Sequence, residues 1–251
     1  MRFSTVLFTL AAALTQALPT TNHQKELPPY FILTGDSTTA VNGGWGDGFL
    51  RFLQNTTGGV NIGKSGATTV SFRSGGYWAK AIQAVKDQKC NYRPIVTIQF
   101  GHNDQKAEAN ITLTQFQANM EQLAREVISA GGTPIILTSL TRRTFSGGKV
   151  IENLAEHSQA AIDAAEAVGI QYQGLNRAST DYINAIGSAN ADKYNLSPTD
   201  RTHLNVSGET VFGRMVADLI LRGRPDLAAY FIKRKALSDK IWSGEYATGD
   251  E

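Results

Sequence analysis

The stretch Ile95-Val96-Thr97-Ile98-Gln99-Phe100-Gly101-His102-Asn103-Asp104 decides the fold. Its first six residues carry no charge on either alternating set, so a strand built from them has no solvated face and needs cover on both sides. Gly-His-Asn-Asp then breaks the run with turn-forming, hydrogen-bonding side chains at one end of the strand. Short apolar runs recur at residues 30–34 (YFILT), 60–62, 134–138 (PIILT) and 170–174. Between them, segments 45–54, 77–87, 113–130, 152–168 and 206–221 read as helices. Two of these repeat apolar residues at three to four: Phe116, Met120, Leu123 and Val127 in one, Val206, Val211, Met215 and Leu219 in the other. Strands buried on both faces and spaced by helices predict a three-layer α/β/α sandwich around a five-stranded parallel sheet. Residues 30–223 make this domain, and 224–251, more polar and without clear period, is expected to pack on it as a C-terminal extension.

The chain has 251 residues, 41% hydrophobic and 18% charged, enough for one sizeable core and too little biased for a disordered chain. A formal net charge of +2 gives no electrostatic reason to expect nucleic acid or an anionic membrane as partner. The single cysteine, Cys90, excludes an intrachain disulfide framework and a cysteine-rich zinc site, which leaves the four histidines and the carboxylates for any metal. At the amino terminus Arg2 precedes an apolar run at residues 6–14, too short to span a bilayer. Small residues follow near Ala17. This pattern predicts a signal peptide over 1–17, a connecting tail over 18–29 and a secreted, extracellular protein. Four sequons, at Asn55, Asn110, Asn195 and Asn205, are candidate glycosylation sites on such a route.

In parallel sheets ligands gather at the carboxyl ends of the strands, where only loops are free to vary. The first strand runs into Gly35-Asp36-Ser37-Thr38, a tight turn that exposes a serine hydroxyl at that edge. The second leads to a glycine-containing loop, Gly63-Lys64-Ser65-Gly66-Ala67, able to aim backbone N–H groups at an anion. It lacks the P-loop pattern, and no Gly-x-Gly-x-x-Gly follows a strand, which leaves a nucleotide-binding domain without its fingerprint. At the tip of the third strand, Asn103 carries a side-chain N–H suited to an oxyanion. Asp200-Arg201-Thr202-His203 precedes the last long helix. A nucleophilic serine needs a base, and an imidazole needs an acceptor to fix its tautomer; a carboxylate three residues before a histidine on a turn supplies both. His23 lies in the tail and His157 in mid-helix, while His102 adjoins Asn103 without a carboxylate so spaced. His203 is thus the best base. Taken singly, each of these motifs is also ordinary turn or helix-cap chemistry.

Together, in this order, the four motifs resemble the SGNH (Gly-Asp-Ser-type) hydrolase superfamily across about residues 30–222. Thr38 after the serine, Phe100 through Lys106, and Ser71-Phe72 followed by Gly76-Tyr77-Trp78 are similar to its rhamnogalacturonan acetylesterase-like branch. The second motif, Ser65-Gly66-Ala67-Thr68-Thr69, is closer to the general superfamily pattern. The resemblance implies a flavodoxin-like sheet. It implies a catalytic Ser37 with His203 as base and Asp200 orienting it, and an oxyanion hole from the backbone N–H groups of Ser37 and Gly66 and the Asn103 side chain. No metal or organic cofactor is implied. Thr38, Trp45, Trp78 and His102 are candidate substrate contacts, the aromatic rings for stacking on sugars.

The expected function is a secreted, monomeric serine esterase removing acetyl groups from plant cell-wall polysaccharide, rhamnogalacturonan first. A lipase or thioesterase of the same superfamily is the alternative. A non-catalytic glycan-binding module is a third reading, and would require replacement of a triad residue.

Overall fold

The computed structural model describes Met1 and residues 27–251. The expected leader, His23 and the tail up to residue 26 lie outside the described residues. In chain order the strands are β1 (Pro29–Gly35), β2 (Gly58–Asn61), β3 (Arg93–Gln99), β4 (Thr133–Leu137), β5 (Phe145–Ser146), β6 (Lys149–Val150) and β7 (Tyr172–Gln173). The helices are α1 (Gly46–Leu50), α2 (Thr69–Ser74), α3 (Tyr77–Gln88), α4 (Leu113–Ala130), α5 (Ala155–Val168), α6 (Leu175–Ala191), α7 (Val206–Gly223) and α8 (Lys235–Ser243). Five strands form one parallel sheet in the order β2-β1-β3-β4-β7, and β5 and β6 make a small antiparallel hairpin.

Alternation along the central strands divides the apolar side chains into two cores. Phe31, Leu33, Ile95, Ile135 and Leu137 face one side, where α1, α6, α7 and α8 supply Phe49, Ile183, Met215 and Leu237. Ile32, Val96, Ile98 and Ile136 face the other, against Val85 of α3, Phe116 and Leu123 of α4 and Ala164 of α5. The sheet is therefore the middle of three layers, and its central strands have no wet face. The strand order reverses direction beside β1: β2 lies on one side and β3 on the other. Such a switch leaves a crevice at the carboxyl ends of β1 and β3.

Helix ends follow local chemistry where that chemistry is strong. The Thr112 side chain accepts from Gln115 N–H at 3.1 Å, and Gly131 closes α4 with φ +93°, so α4 spans the expected residues. Expected helix 45–54 shortens to Gly46–Leu50 because Leu53 leaves it to bridge Phe231. α5 starts three residues later than expected, and Val206, the first residue of α7, is exposed rather than core. The last sheet strand shrinks from 170–174 to two residues, since it meets only the end of β4. Pro29, expected in the tail, already pairs with Arg93. α2, α6, α8 and the hairpin have no counterpart in the expected elements. In α6 no side chain caps the amino end, and Gly187 breaks the interior with φ +75°.

Residues 224–251 fold back onto the first core, burying Leu227, Phe231, Leu237, Ile241 and Ala247. Among the described residues no helix is long and apolar enough to cross a membrane, and no cluster of three or more His, Cys, Asp or Glu could hold a metal ion. α1 approaches α7 so closely that a Cβ on Gly48 would lie 1.8 Å from the Glu209 carbonyl oxygen. Gly48→Ala therefore forces the two helices apart and should destabilise the protein by about 1–3 kcal/mol, read as a lower midpoint in urea unfolding.

Candidate active site

β1 delivers Gly35, Asp36 and Ser37 to the crevice. A Cβ on Gly35 would stand 2.4 Å from Thr39 Oγ1 and 2.5 Å from the Gln99 carbonyl oxygen, so only glycine lets the turn pass this close to β3. Asp36, fully buried, then closes the turn: its Oδ1 accepts from the backbone N–H of Thr38 at 2.9 Å and from Thr38 Oγ1 at 2.8 Å. Ser37 sits on this rigid bend. The chain between Tyr194 and α7 is held against it, because Leu204 N–H donates to the Gly43 carbonyl at 2.8 Å. This bond, with Gly43 N–H donating to Glu209 Oε1 at 3.1 Å, closes a separation of more than 160 residues.

His203 Nε2 lies 2.9 Å from Ser37 Oγ, and His203 Nδ1 lies 2.8 Å from Asp200 Oδ2. The other oxygen, Asp200 Oδ1, accepts from the backbone N–H groups of Thr202 and His203 at 2.9 and 2.8 Å. Burial pushes the Asp200 carboxyl up, but these two N–H groups and the imidazole outweigh it and hold Asp200 below the usual carboxylate value. An ionised Asp200 can only accept, so it keeps the proton on Nδ1 and leaves the Nε2 lone pair facing the serine hydroxyl. Such an arrangement can take the proton of Ser37 as the oxygen attacks a carbonyl.

The loop after β2 comes to the same edge. Gly66 has φ +76°, with open space where a Cβ would be, so the backbone conformation and not crowding calls for glycine. Asn103 Nδ2 donates to the Ala67 carbonyl at 3.0 Å, tying the tip of β3 to this loop. Neither the N–H of Ser37 nor that of Gly66 donates to another group among the described residues. These are donors of the kind that stabilise a developing oxyanion.

Residues 33–211 match the GDSL-like Lipase/Acylhydrolase family, well over half of the chain. The chain belongs to this family. It is 26% identical over 211 residues to rhamnogalacturonan acetylesterase RhgT of Bacillus subtilis (strain 168), covering 76% of this chain and 89% of that protein. Among solved structures, a Bacillus subtilis protein superposes with a TM-score of 0.68 at 20% identity, over 79% of this chain and 57% of that one. The chain thus spans little more than half of that protein. Axe2, an acetylxylan esterase from Geobacillus stearothermophilus, matches with a TM-score of 0.56 at 17% identity, over 78% of this chain and 94% of that one. A lipase/acylhydrolase from Enterococcus faecalis gives 0.56 at 22%, over 78% and 96%. At these identities the structural likeness is one of fold.

In this GDSL-family hydrolase the four expected substrate contacts turn inward. Trp45 is fully buried, its Nε1 donating to Gln99 Oε1 at 2.7 Å and its ring edge-on to Phe49. Trp78 is also buried and donates to Glu126 Oε2 at 2.6 Å. Thr38 is fixed between Asp36 and the Gln99 side-chain amide, and the His102 ring lies under the surface with Nδ1 3.6 Å from Asp36 Oδ2. All four are buried: Trp45, Thr38 and His102 through contacts to Gln99 and Asp36, and Trp78 against α4. The side chains of two candidate sequons are engaged in the fold. Asn195 is buried between Arg143 and Asp192, and Asn205 caps α7 while its amide donates to the Lys193 carbonyl at 2.7 Å. Asn55 and Asn110 are exposed.

Two residues given no role by the sequence reading shape the site. Arg143, just past β4, is buried yet meets no carboxylate in hydrogen-bond contact among the described residues. Its guanidinium donates to Asn195 Oδ1 at 2.7 Å, to the His203 carbonyl at 2.6 Å, and to the Thr202 and Asp200 carbonyls at 3.4 Å. Burial draws it down to about 10, against the pull of Asp200, so it stays protonated at neutral pH. The adjacent pair Arg142-Arg143 at the ligand edge of a strand was the available signal. Arg143→Met leaves these carbonyls without their buried donor and should cost about 3 kcal/mol in urea unfolding, Arg143→Lys less; stability equal to the native protein in both would show that the guanidinium does not hold the loop.

Asp104 is the second. It is fully buried, and its Oδ1 accepts from Thr69 N–H at 2.9 Å and Thr69 Oγ1 at 2.6 Å, while Oδ2 has no hydrogen-bond partner among the described residues. Burial raises its carboxyl from 3.8 to about 6. The folded state therefore holds the proton more tightly than the unfolded one, and the stability from this group is complete below pH 4 and lost as pH rises through 6. Asp104→Asn mimics the protonated form. It should be more stable than the native protein at pH 7 by roughly 3 kcal/mol, with the difference closing towards pH 4 in denaturant titrations.

Proposed function

We propose that this GDSL-family ester hydrolase is a secreted acetylesterase of acetylated plant polysaccharide, with rhamnogalacturonan as its substrate. The unbroken series from Asp200 through His203 to Ser37, at 2.8 and 2.9 Å, carries the chemistry. Kinship with a rhamnogalacturonan acetylesterase over three-quarters of the chain supports the substrate, and the apolar leader sequence supports secretion. In the first half-reaction Ser37 Oγ bonds to the ester carbonyl carbon as its proton passes to His203 Nε2. Asp200 stabilises the imidazolium. The carbonyl oxygen takes up negative charge towards the N–H groups of Ser37 and Gly66 and the Asn103 amide. His203 then returns the proton to the departing sugar oxygen, leaving an acetyl group on Ser37. Water, deprotonated by His203, releases acetate by the same sequence.

Ser37→Ala, folded as the native protein by circular dichroism, should lose at least about a thousandfold in kcat/KM on an aryl acetate. Retained hydrolysis in this variant would overturn the assignment of the nucleophile. Acetate release from acetylated rhamnogalacturonan, well above that from xylan or homogalacturonan, is expected of the native protein. Faster turnover of an aryl octanoate than of the acetate would point instead to a long-chain acyl substrate.

A further inference from the structure

A cleft of about 510 Å3 opens between the second half of α7 and α8, on the face of the helical layer. It is of ligand-binding size. Arg222 lies 16 residues beyond the first residue of α7, roughly 24 Å along its axis, so the cleft is well separated from the His203 end of that helix. Five cationic side chains line it, Arg214, Arg222, Lys233, Arg234 and Lys235, against one carboxylate, Asp218.

That carboxylate is already engaged. Asp218 pairs with Arg214 at 2.6 Å and accepts from Trp242 Nε1 at 2.9 Å. Arg214 is further tied to Ser238 Oγ at 2.8 Å and to the Ile232 carbonyl at 2.9 Å, so the floor of the cleft is a fixed, hydrogen-bonded unit. Upon it the indole of Trp242 is held in one orientation, with the Arg222 guanidinium 3.5 Å from the ring centroid. At the rim, Lys235 pairs with exposed Asp239 at 2.5 Å, and Arg234 donates to the backbone carbonyl oxygen of Glu251 at 3.4 Å. Arg222 and Lys233 have no carboxylate partner among the described residues. A chain of net charge +2 thus concentrates positive charge beside a fixed aromatic ring.

We propose that this cleft is an accessory binding site for a uronic acid-containing polysaccharide. Carboxylates spaced along the polymer would meet Arg222, Lys233 and Arg234, and a sugar ring would lie against Trp242, whose combination of indole and guanidinium serves both parts of a uronate. The choice of a uronate among polyanions rests on the pectic substrate proposed above. Binding here keeps the polymer near the enzyme and raises the effective concentration of its acetyl esters at Ser37. The cleft itself takes no part in ester cleavage.

The test uses the full chain and de-esterified polygalacturonate, which offers no ester to cleave. The native protein and Ser37→Ala should both be retarded in affinity electrophoresis through this polymer, less so as salt is raised, and not through neutral galactan. The double charge reversal Arg222→Glu, Lys233→Glu should weaken that binding about tenfold or more. It should raise KM on acetylated rhamnogalacturonan while leaving kcat/KM on an aryl acetate unchanged. Trp45 and Trp78 are buried, so a polymer-induced change in tryptophan fluorescence should come from Trp242 and vanish in Trp242→Phe. No retardation of the native protein, undiminished binding by the double variant, or binding to anionic vesicles or RNA with none to polygalacturonate would each overturn the proposal. Aryl acetate turnover is read separately, so failure at the cleft is distinguishable from failure of the esterase assignment.

Discussion

The pairing of β1 with β3 is the constraint on which the rest of the site depends. It runs for seven residues, from Pro29 opposite Arg93 to Gly35 opposite Gln99, and both strands are shielded from water by helices on either side. Because the register is locked by two cores at once, the two chains leave the sheet side by side, one into Asp36 and Ser37 and the other into His102 and Asn103. A one-residue slip would exchange Phe31 and Leu33 for Ile32 and drive each set into the wrong core. Gln99 adds a local clamp, since its side-chain amide accepts from Trp45 and donates to Thr38 across the pair.

The histidine reaches this edge by a different means. Its loop has little regular structure, and it is held through backbone groups: Leu204 N–H on the Gly43 carbonyl, Asn195 bridged to Leu204, and the carbonyls of Asp200, Thr202 and His203 gathered by Arg143. An arginine suits this task because its planar fork presents five donors in fixed directions and remains charged when buried. Rigid strand ends and a clamped loop together bring Ser37 and His203 within hydrogen-bond distance without any covalent cross-link. Cys90, the single cysteine, is exposed and distant from this arrangement in sequence.

Net charge proved a poor guide to surface chemistry. The formal +2 is an average over a surface on which many ions are paired, as Arg73 is with Glu126 and Arg177 with Asp181. The cleft between α7 and the carboxyl-terminal extension gathers five cationic side chains against one carboxylate, beside the indole of Trp242. The sequence around it, Ile232-Lys233-Arg234-Lys235, has too few residues to show a period, so its partner surface on α7 was invisible before folding.

What the sequence by itself determined was the sheet and its chemistry-bearing edge. Residues 95–100 and 30–34 lack a solvated face, which admits only a central, doubly covered strand, and strong caps at Thr112 and Gly131 set the ends of α4. Ser37, Asp200 and His203 were legible because reactive side chains stood at strand ends and at a three-residue spacing on a turn. Tertiary structure alone decided which polar and aromatic residues face outward. Trp45 and Trp78, placed near the site by sequence position, are turned into the cores at the starts of α1 and α3, while Trp242 in an unpatterned tail lies beside a cleft. The physical reason is that burial depends on which elements meet, and partners such as Arg143 and the 200–203 loop, far apart in the chain, leave no local signature of their meeting.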